Sequence, residues 1–307
     1  MSRHRSTPAS VLGGLSLVVV ACTPAEPVAP AYPGYGPAPP QSSSWPSPSP
    51  PPPLAPAGSP GCGKAAPRTG VQHVSAMGKD RTYVLAVPDG YSAQAPLPLV
   101  FVLHGSGGSA QSARTQTDLE KVAGGRAIFV YPDGLSGGWD LDTETSQNRD
   151  VGLFDAILLT AHNALCIDSR RVFVTGFSNG AYMANQLGCR RGDRIRGLVT
   201  HAGGGPYELH GSYDGNGQLQ CPQKAVASLV VHGNSDTTVA PNEGQKSLDH
   251  WTYANRCGGG TAPAWLPPCV AEQGCFQPVG VCRIPGLGHG LWAQAGKVTW
   301  MFFDALR

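Results

Sequence analysis

Proline is distributed very unevenly along this chain of 307 residues, and its distribution limits where a packed core can form. The 39 residues from Cys22 to Pro60 contain 15 prolines, whereas the other 268 residues contain 14. Proline fixes φ and donates no backbone hydrogen bond, so a stretch this rich in proline cannot be built into a helix or a sheet. We therefore predict a disordered linker over residues 22–60 and one folded domain over residues 61–307, which is long enough for a single large core.

The segment before the linker has the pattern of an export signal. Residues 1–10 contain Arg3, His4 and Arg5 and no acidic residue, and residues 11–21 form a mostly apolar run. A run of about 11 residues is too short to cross a bilayer as a helix. A basic start, a short apolar run and small residues before a cleavage point are typical of a secretory signal. We therefore predict a signal peptide over residues 1–21 and an exported protein.

The end of the apolar run indicates a more specific signal. Val19, Val20, Ala21 and Cys22 resemble the lipobox of bacterial lipoproteins, in which the cysteine is acylated and becomes the mature N-terminus. The alternative is an ordinary signal peptide followed by an unrelated cysteine, which would release the chain. Acyl chains on Cys22 would attach the protein to a membrane surface. The proline-rich linker would then be a tether between this lipid anchor and the domain.

The charge balance argues against nucleic acid as a partner. The chain has 22 Lys and Arg against 20 Asp and Glu, and two of the cations, Arg3 and Arg5, lie in the predicted signal peptide. The remainder is balanced and contains no long basic run, so it lacks the electrostatic footprint that nucleic-acid binding requires.

Strand-like apolar runs alternate with helical patterns along the folded part. The strand-like runs are residues 81–87, 98–103, 127–131, 171–175, 198–201, 228–231 and 279–284, and the helical patterns are residues 109–122, 150–165, 181–188 and 297–306. The alternation predicts an α/β fold, with a mostly parallel, doubly wound sheet and helices on both faces. In such a sheet the ligand crevice lies at the carboxyl ends of the strands, so we expect the site in the loops that follow strands.

Two segments fit the pattern G-x-S-x-G, but only one has the surroundings that a nucleophile needs. Ser178 follows the strand-like residues 172–175 and precedes the helical residues 181–187. This order predicts a nucleophile elbow, a sharp turn that exposes the hydroxyl at a helix N-terminus. Ser136 follows a Pro-Asp-Gly turn and has no helical pattern after it. We therefore predict Ser178 as the nucleophile and Ser136 as a loop residue.

A serine nucleophile needs a histidine base and an acid that orients the base. On a sheet of this type the chain order is Ser, then Asp or Glu, then His. Asp236 lies in the loop after the strand-like residues 228–231, and His289 lies in a glycine-rich loop before the last helix. We predict the triad Ser178, Asp236 and His289. Asp214, in a stretch of Gly and Asn with no strand before it, is the alternative acid.

Acyl transfer also needs N–H donors for the oxyanion that forms in the transition state. The predicted donors are the backbone N–H groups of Asn179, directly after the nucleophile, and of Ser106, in a glycine-rich turn after a strand. A phosphate-binding loop is the competing interpretation of that turn, but the Gly-Lys-Ser/Thr ending of such loops is absent. His104 and His232 also follow strands, and we predict that both support turns.

Several sequence blocks resemble those of secreted feruloyl esterases of carbohydrate esterase family 1 and of the related extracellular polyhydroxybutyrate depolymerases. The blocks are HGSGG after PLVFVL, IFVYPDG, CIDSRRVFVTGFSNG, LGCRRGD, VVHGNSD and the late GHG, and the likeness extends from Gly61 to the C-terminus. The resemblance implies a single-domain α/β-hydrolase with Ser178, Asp236 and His289 as its triad. Leu287 departs from the family pattern, because relatives often have a second glycine at this point.

If Cys22 carries lipid, eight cysteines remain, and an exported chain most simply pairs them in four disulfides. They are Cys62, Cys166, Cys189, Cys221, Cys257, Cys269, Cys275 and Cys282. Eight cysteines allow many connectivities, and the sequence selects none of them. We expect the last four to staple the segment that leads to His289. Their spacings do not fit a zinc site, and we predict neither a metal nor a cofactor.

The predicted function is that of a serine esterase, extracellular or attached to the cell surface, that hydrolyses feruloyl or acetyl esters on plant polysaccharide. A polyhydroxybutyrate depolymerase, which cleaves a polyester, is the alternative enzyme. A surface lipoprotein that only binds a ligand on a hydrolase fold is the alternative without catalysis. Trp139 and Trp292 are candidates for stacking on an aromatic acyl group, with core packing as the alternative for each.

Overall fold

The computed structural model describes residues 58–209 and 211–306. The predicted signal peptide, Cys22 and all but the last three residues of the predicted linker lie outside this part of the chain. The described chain is bonded to the sheet from its start. Gly58 forms a bridge with Asp168, and the Ser59 N–H donates to the Ile167 carbonyl over 3.1 Å. Backbone contacts with the domain therefore begin three residues before residue 61, the predicted boundary.

Ten strands of the described chain form one sheet. They are β1 (Gly70–Ala76), β2 (Lys79–Ala86), β3 (Leu97–Leu103), β4 (Ile128–Pro132), β5 (Ile167–Phe177), β6 (Gly197–His201), β7 (Ala227–Gly233), β8 (Thr261–Pro263), β9 (Cys269–Glu272) and β10 (Val279–Ile284). Their order is β1-β2-β4-β3-β5-β6-β7-β10-β9-β8. The six strands from β4 to β10 in this order are parallel neighbours, and antiparallel strands extend the sheet at both edges.

Helices cover both faces of the sheet. The α-helices are α1 (Ala110–Gln116), α2 (Leu119–Ala123), α3 (Arg149–Ala164), α4 (Asn179–Arg190), α5 (Pro241–Ala254) and α6 (Ala295–Ala305), and residues Leu135–Gly137 form a short 3-10 helix. Helices α3, α4 and α5 pack into one core cluster, which we call the first core cluster. Helices α1, α2 and α6 pack into the other, the second core cluster. The predicted α/β fold with a mostly parallel, doubly wound sheet is confirmed.

Side chains that alternate along the central strands divide the core in two. In β3, Leu99 and Phe101 belong to the cluster with α3, α4 and α5, whereas Val100 and Val102 belong to the cluster with α1, α2 and α6. All four are at most 1% exposed. Burial on both faces is the reason that these strands are continuous apolar runs in the sequence.

Four elements were not expected from the sequence: β1, β8, β9 and α5. The edge strand β1 alternates between half-buried and exposed residues, so it has no apolar run. Helix α5 is mostly polar and buries large apolar side chains only at Leu248 and Trp251. The predicted helix over residues 109–122 is interrupted at Asp118, whose φ of 43° is left-handed.

The eight cysteines of the described chain form four disulfides. The pairs are Cys62–Cys166, Cys189–Cys221, Cys257–Cys275 and Cys269–Cys282. The last two pairs join the four late cysteines to one another, a pairing that the sequence did not specify. Cys282 lies in β10, which ends five residues before His289. The Cys269–Cys282 disulfide therefore ties β10, the strand that carries the loop of His289, to β9.

No described helix is long and apolar enough to cross a membrane. The described residues also contain no group of His, Cys, Asp and Glu side chains that is arranged to hold a metal ion.

His201, at the end of β6, is a buried ionisable group that affects the stability of the fold. Its Nε2 lies 3.0 Å from Thr299 Oγ1, and its Nδ1 is buried without a hydrogen-bond partner. Burial lowers the pKa of His201 to about 4. An unfolded histidine has a pKa of about 6.5, so between these values the unfolded chain binds a proton that the folded chain does not bind. Burial of His250 in α5 lowers its pKa to about 4 in the same way.

We predict that the free energy of unfolding decreases as the pH falls from about 6.5 to about 4. His201 should account for up to about 3 kcal/mol of the decrease. The variant His201→Gln should flatten this dependence in urea unfolding at a series of pH values. His73→Gln is the control, because the His73 side chain is 64% exposed and should not alter the slope. An unchanged slope in His201→Gln would contradict the prediction.

Candidate active site

Ser178 lies on a sharp turn between β5 and α4. The strand ends at Phe177 and the helix begins at Asn179, and Ser178 itself has φ 54° and ψ −120°. A left-handed φ is strained in a residue with a side chain, and the strain exposes the hydroxyl at the end of the strand. The turn is so tight that a Cβ on Gly176 would lie 2.2 Å from the carbonyl oxygen of Gly180. Glycine at position 176 is therefore a steric requirement of this turn.

Three side chains from three separate loops meet at the turn. His289 Nε2 lies 2.9 Å from Ser178 Oγ, and His289 Nδ1 lies 2.8 Å from Asp236 Oδ2. Ser178 follows β5, Asp236 follows β7 and His289 follows β10, so all three lie at carboxyl ends of parallel strands. These are the contacts that the predicted triad requires, with one ring nitrogen within reach of the hydroxyl and the other next to a carboxylate.

Asp236 is 3% exposed, yet its surroundings favour the charged form. Its Oδ1 accepts hydrogen bonds of 2.9 Å from the backbone N–H groups of Thr238 and Val239. Burial acts to raise the pKa of Asp236, but the hydrogen bonds from His289 and from the two amides outweigh it and hold the pKa below the usual value. The carboxylate is therefore charged at neutral pH and faces the His289 ring.

The loop of His289 is bonded to the loop of Asp236. The Ser235 N–H donates to the Leu287 carbonyl over 3.0 Å, and a Cβ on Gly233 would lie 2.2 Å from the same oxygen. Leu287 therefore contributes its backbone to the contact between the loops, while its side chain packs against the second core cluster. This contact sets the position of the base relative to the acid.

The predicted oxyanion donors lie on two segments next to the nucleophile. Asn179 is the first residue of α4 and follows Ser178 directly. Ser106 is exposed and follows Gly105, whose Cα faces the nucleophile, because a Cβ at that position would lie 3.4 Å from Ser178 Cβ. The turn of residues 104–108 and the start of α4 therefore adjoin the same hydroxyl.

The second G-x-S-x-G segment, residues 134–138, is hydrogen-bonded to the turn of residues 104–108. Together with Trp139 it forms what we call the brace. The Gly107 N–H donates to the Gly137 carbonyl over 2.8 Å, and the Gly134 N–H donates to His104 Nε2 over 2.9 Å. Ser136 lies within the 3-10 helix of this segment, and the next α-helix begins only at Arg149. The sequence indicated a loop here, but it carried no signal that the loop supports the turn of residues 104–108.

Trp139 connects the brace to both sides of the nucleophile. Its backbone N–H donates to Asn179 Oδ1 over 2.9 Å, and its indole N–H donates to the His104 carbonyl over 2.8 Å. Its ring packs against the His104 ring at 4.6 Å and is part of the first core cluster, with 8% of the residue exposed. This packing favours support of the two segments over the substrate stacking that the sequence suggested. Trp292 is half-buried against the second core cluster.

Two other residues that the sequence suggested, Asp214 and His232, make different contacts. Asp214, the alternative acid, accepts a hydrogen bond from the Tyr253 hydroxyl, so it is Asp236 that contacts His289. His232 Nε2 lies 3.0 Å from the Val239 carbonyl and 3.6 Å from Asp236 Oδ2, where it supports the acid loop.

Known proteins with similar sequences are feruloyl esterases. Feruloyl esterase C of Emericella nidulans is 32% identical over 274 residues, which cover 81% of this chain and 92% of that protein. Feruloyl esterase D of Neurospora crassa is 34% identical over 281 residues, which cover 81% of this chain and 91% of that protein. A scan against protein-family models finds no match.

Solved structures with a similar fold are esterases. The acetyl xylan esterase from Aspergillus awamori superposes with a TM-score of 0.60 at 16% identity, over 76% of this chain and 99% of that chain. A ferulic acid esterase of carbohydrate esterase family 1 from Anaeromyces mucronatus, in complex with ferulic acid, superposes with a TM-score of 0.51 at 17% identity, over 78% of this chain and 90% of that chain. At these identities the likeness concerns the fold alone, and it agrees with the predicted α/β-hydrolase fold.

We predict that Trp139→Phe, which keeps an aromatic ring but removes the indole N–H, lowers the free energy of unfolding by about 1–3 kcal/mol, because the His104 carbonyl loses its donor. Trp300→Phe is the matched control, since Trp300 is also buried and its indole N–H has no hydrogen-bond partner. Urea unfolding of the two variants measures the difference. Equal losses would show that the indole hydrogen bond of Trp139 contributes nothing.

Proposed function

The chain belongs to the feruloyl esterase family and is a carboxylic ester hydrolase, and from this premise we propose that it releases feruloyl or acetyl groups from plant cell-wall polysaccharide by a Ser-His-Asp mechanism. Ser178 is the nucleophile, His289 the general base and Asp236 the residue that orients the base. The observation that carries this proposal is the pair of contacts of 2.9 Å and 2.8 Å that His289 makes with the other two.

In the first half of the reaction, Ser178 Oγ attacks the ester carbonyl and His289 Nε2 takes the hydroxyl proton. The bond between the carbonyl carbon and the alcohol oxygen then breaks, and the alcohol leaves with the proton that His289 held. In the second half, a water molecule gives a proton to His289 and attacks the acyl-enzyme. The acid is released, and the proton returns to Ser178.

Negative charge develops on the carbonyl oxygen in both halves of the reaction. We assign its stabilisation to the backbone N–H groups of Asn179 and Ser106. Asn179 opens helix α4, whose N-terminus also favours negative charge. The brace formed by residues 134–139 supports this assignment, because it bonds to the turn of Ser106 and to the Asn179 side chain and so limits their relative movement.

The names of the relatives favour polysaccharide esters over a polyester as substrate, because they include feruloyl esterases and an acetyl xylan esterase. Ferulate is an aromatic acid, and the half-buried Trp292 is our candidate for contact with it. Polyhydroxybutyrate depolymerase, the alternative from the sequence, has no specific observation in its favour here.

We further propose that the protein is exported and that the domain of residues 61–307 is tethered through the linker of residues 22–60. Four disulfides support an oxidising compartment. The signal peptide of residues 1–21 and the lipid on Cys22 rest on the sequence pattern alone.

Ser178→Ala should lower kcat for methyl ferulate by about 10⁴-fold or more, because the acyl-enzyme cannot form. The same variant should lose covalent labelling by a fluorophosphonate probe. Ser136→Ala, in the second G-x-S-x-G segment, is the matched control and should still be labelled. A labelled Ser178→Ala protein, or one with wild-type turnover, would contradict the proposed mechanism, and absence of labelling in the wild type would favour a binding protein without catalysis.

Mass spectrometry of the protein recovered from its native host tests the anchor. We expect a mature chain that begins with an acylated Cys22 and contains four disulfides with no free thiol. Cys22→Ala should prevent acylation and leave the protein out of the membrane fraction. An unmodified Cys22 inside the mature chain would refute the lipoprotein assignment without affecting the catalytic one.

A further inference from the structure

Exposed aromatic side chains are concentrated in one region beside the candidate active site. Eight large hydrophobic residues of the described chain are exposed, and four of them are Tyr207 (37%), Leu209 (76%), Tyr213 (45%) and Tyr253 (51%). The first three lie in the segment between β6 and β7, and Tyr253 lies on α5. Concentrated apolar exposure of this kind marks an interaction site more often than scattered single residues do.

The segment between β6 and β7 is fixed to the outside of α4. The disulfide Cys189–Cys221 joins the segment to the helix, and Asn185 Nδ2 donates to the Gly204 carbonyl over 2.8 Å. Arg190, whose side chain is fully buried, contacts Glu208 Oε1 at 2.7 Å. The tyrosines of this segment are therefore displayed on a supported backbone.

The near end of this surface adjoins the nucleophile. Tyr182 lies in the first turn of α4, and its N–H donates to the Ser178 carbonyl over 3.2 Å. The rings of Tyr182 and Tyr207 lie 6.3 Å apart, and both hydroxyls donate to Glu243 Oε2, over 3.3 Å and 2.7 Å. Burial, together with the neighbouring Glu243 carboxylate, raises the pKa of Tyr182 to about 12, so this hydroxyl keeps its proton.

The far end lies further along α5. The Tyr213 hydroxyl donates to the Glu208 carbonyl over 3.0 Å, and the Tyr253 hydroxyl donates to Asp214. Tyr253 follows Glu243 by ten residues on the same helix. At about 1.5 Å per residue, the surface extends about 15 Å along α5. We call Tyr182, Tyr207, Tyr213 and Tyr253 the tyrosine track.

Every hydroxyl of the tyrosine track is bonded within the protein, so the rings are oriented before any ligand arrives. Such a surface presents aromatic faces at little cost in side-chain entropy on binding. Two of the three acidic residues that the track contacts are paired with a cation, because Glu243 lies 2.7 Å from Lys246 and Glu208 pairs with Arg190. Hydrogen bonds from the Tyr253 hydroxyl and from backbone amides lower the pKa of the third, Asp214, and favour its charged form. The surface therefore carries a small negative charge, which favours a neutral ligand over an anionic membrane or an acidic polymer.

We propose that the tyrosine track binds the backbone of a neutral polysaccharide and holds the ester that it carries at Ser178. Sugar rings have apolar C–H faces that pack against aromatic rings, and hydroxyls that bond to polar groups such as Lys246 and Asp214 at the border of the track. Tyr182 lies four residues after Ser178 and bonds to its carbonyl, so this end of the track is the one next to Ser178. This inference rests on the proposed function and deepens it, because it concerns the part of the substrate beyond the ester.

The test compares a small ester with a polymer. Tyr213→Ala/Tyr253→Ala removes the two rings furthest from Ser178. We expect KM for feruloylated arabinoxylan to rise by about tenfold, with kcat/KM for methyl ferulate unchanged within about twofold. Tyr213→Phe/Tyr253→Phe keeps the rings and should retain most of the wild-type KM. Leu159→Ala, which alters an exposed side chain on α3, is the control and should leave the kinetic constants for both substrates unchanged.

A binding measurement separates this proposal from the catalytic one. The full chain with Ser178→Ala should be retarded in gels that contain de-esterified arabinoxylan, and the added Tyr213→Ala/Tyr253→Ala change should abolish the retardation. Retardation does not depend on turnover, so it can be read even if the protein hydrolyses no feruloyl ester.

The proposal is overturned by any of four results. They are an unretarded Ser178→Ala chain, retardation that survives removal of the two rings, parallel losses on polymer and methyl ferulate, and a concentration-dependent dimer that the double variant abolishes. The last result would show that the track is covered by a second copy of the chain. If the double variant does not fold, retardation of the Ser178→Ala chain and the effect of the Phe variant still decide the question.

Discussion

The backbone turn at Ser178 is the constraint on which the rest of the site depends. A left-handed φ at a serine persists only where the surrounding structure prevents relaxation. Here β5 is paired on both sides, by β3 and β6, and the Ser178 N–H donates to the His201 carbonyl over 2.9 Å. A Cβ on Gly180 would lie 2.4 Å from the Leu103 carbonyl, so α4 begins in contact with the end of β3. The parallel sheet thus holds the Ser178 backbone in place, and the proposed mechanism requires His289 and Asp236 to be positioned around it.

The sequence predicts the central sheet well because burial on both faces makes each strand a continuous apolar run. The loops after β5, β7 and β10 could therefore be searched for a nucleophile, an acid and a base. The chain order then selected Ser178, Asp236 and His289 as candidates. The edge strand β1 and helix α5 were not predicted, because each buries only part of its surface and neither carries a long apolar pattern. Yet α5 supplies Glu243, which two tyrosines beside the nucleophile contact.

The supporting contacts of the site are harder to predict, since they join segments that are distant in the chain. Trp139 bonds to Asn179 across 40 residues and to His104 across 35, and nothing in the local sequence specifies either partner. The sequence could reject Ser136 as a nucleophile because no helix follows it, but the role of its loop as a brace exists only in three dimensions. The disulfide pairing is of the same kind, because composition fixes the number of cysteines and the fold fixes their partners.

Two buried ionisable residues close to this turn differ in charge because their hydrogen-bond partners differ, although burial disfavours the charged form of both. His201 is buried with one ring nitrogen unpartnered, and its lowered pKa keeps it neutral. Asp236 is also buried, but hydrogen bonds from His289 and from two backbone amides favour its charge. In the proposed mechanism, the charged Asp236 carboxylate stabilises the positive charge that the His289 ring takes up when Ser178 gives up its proton.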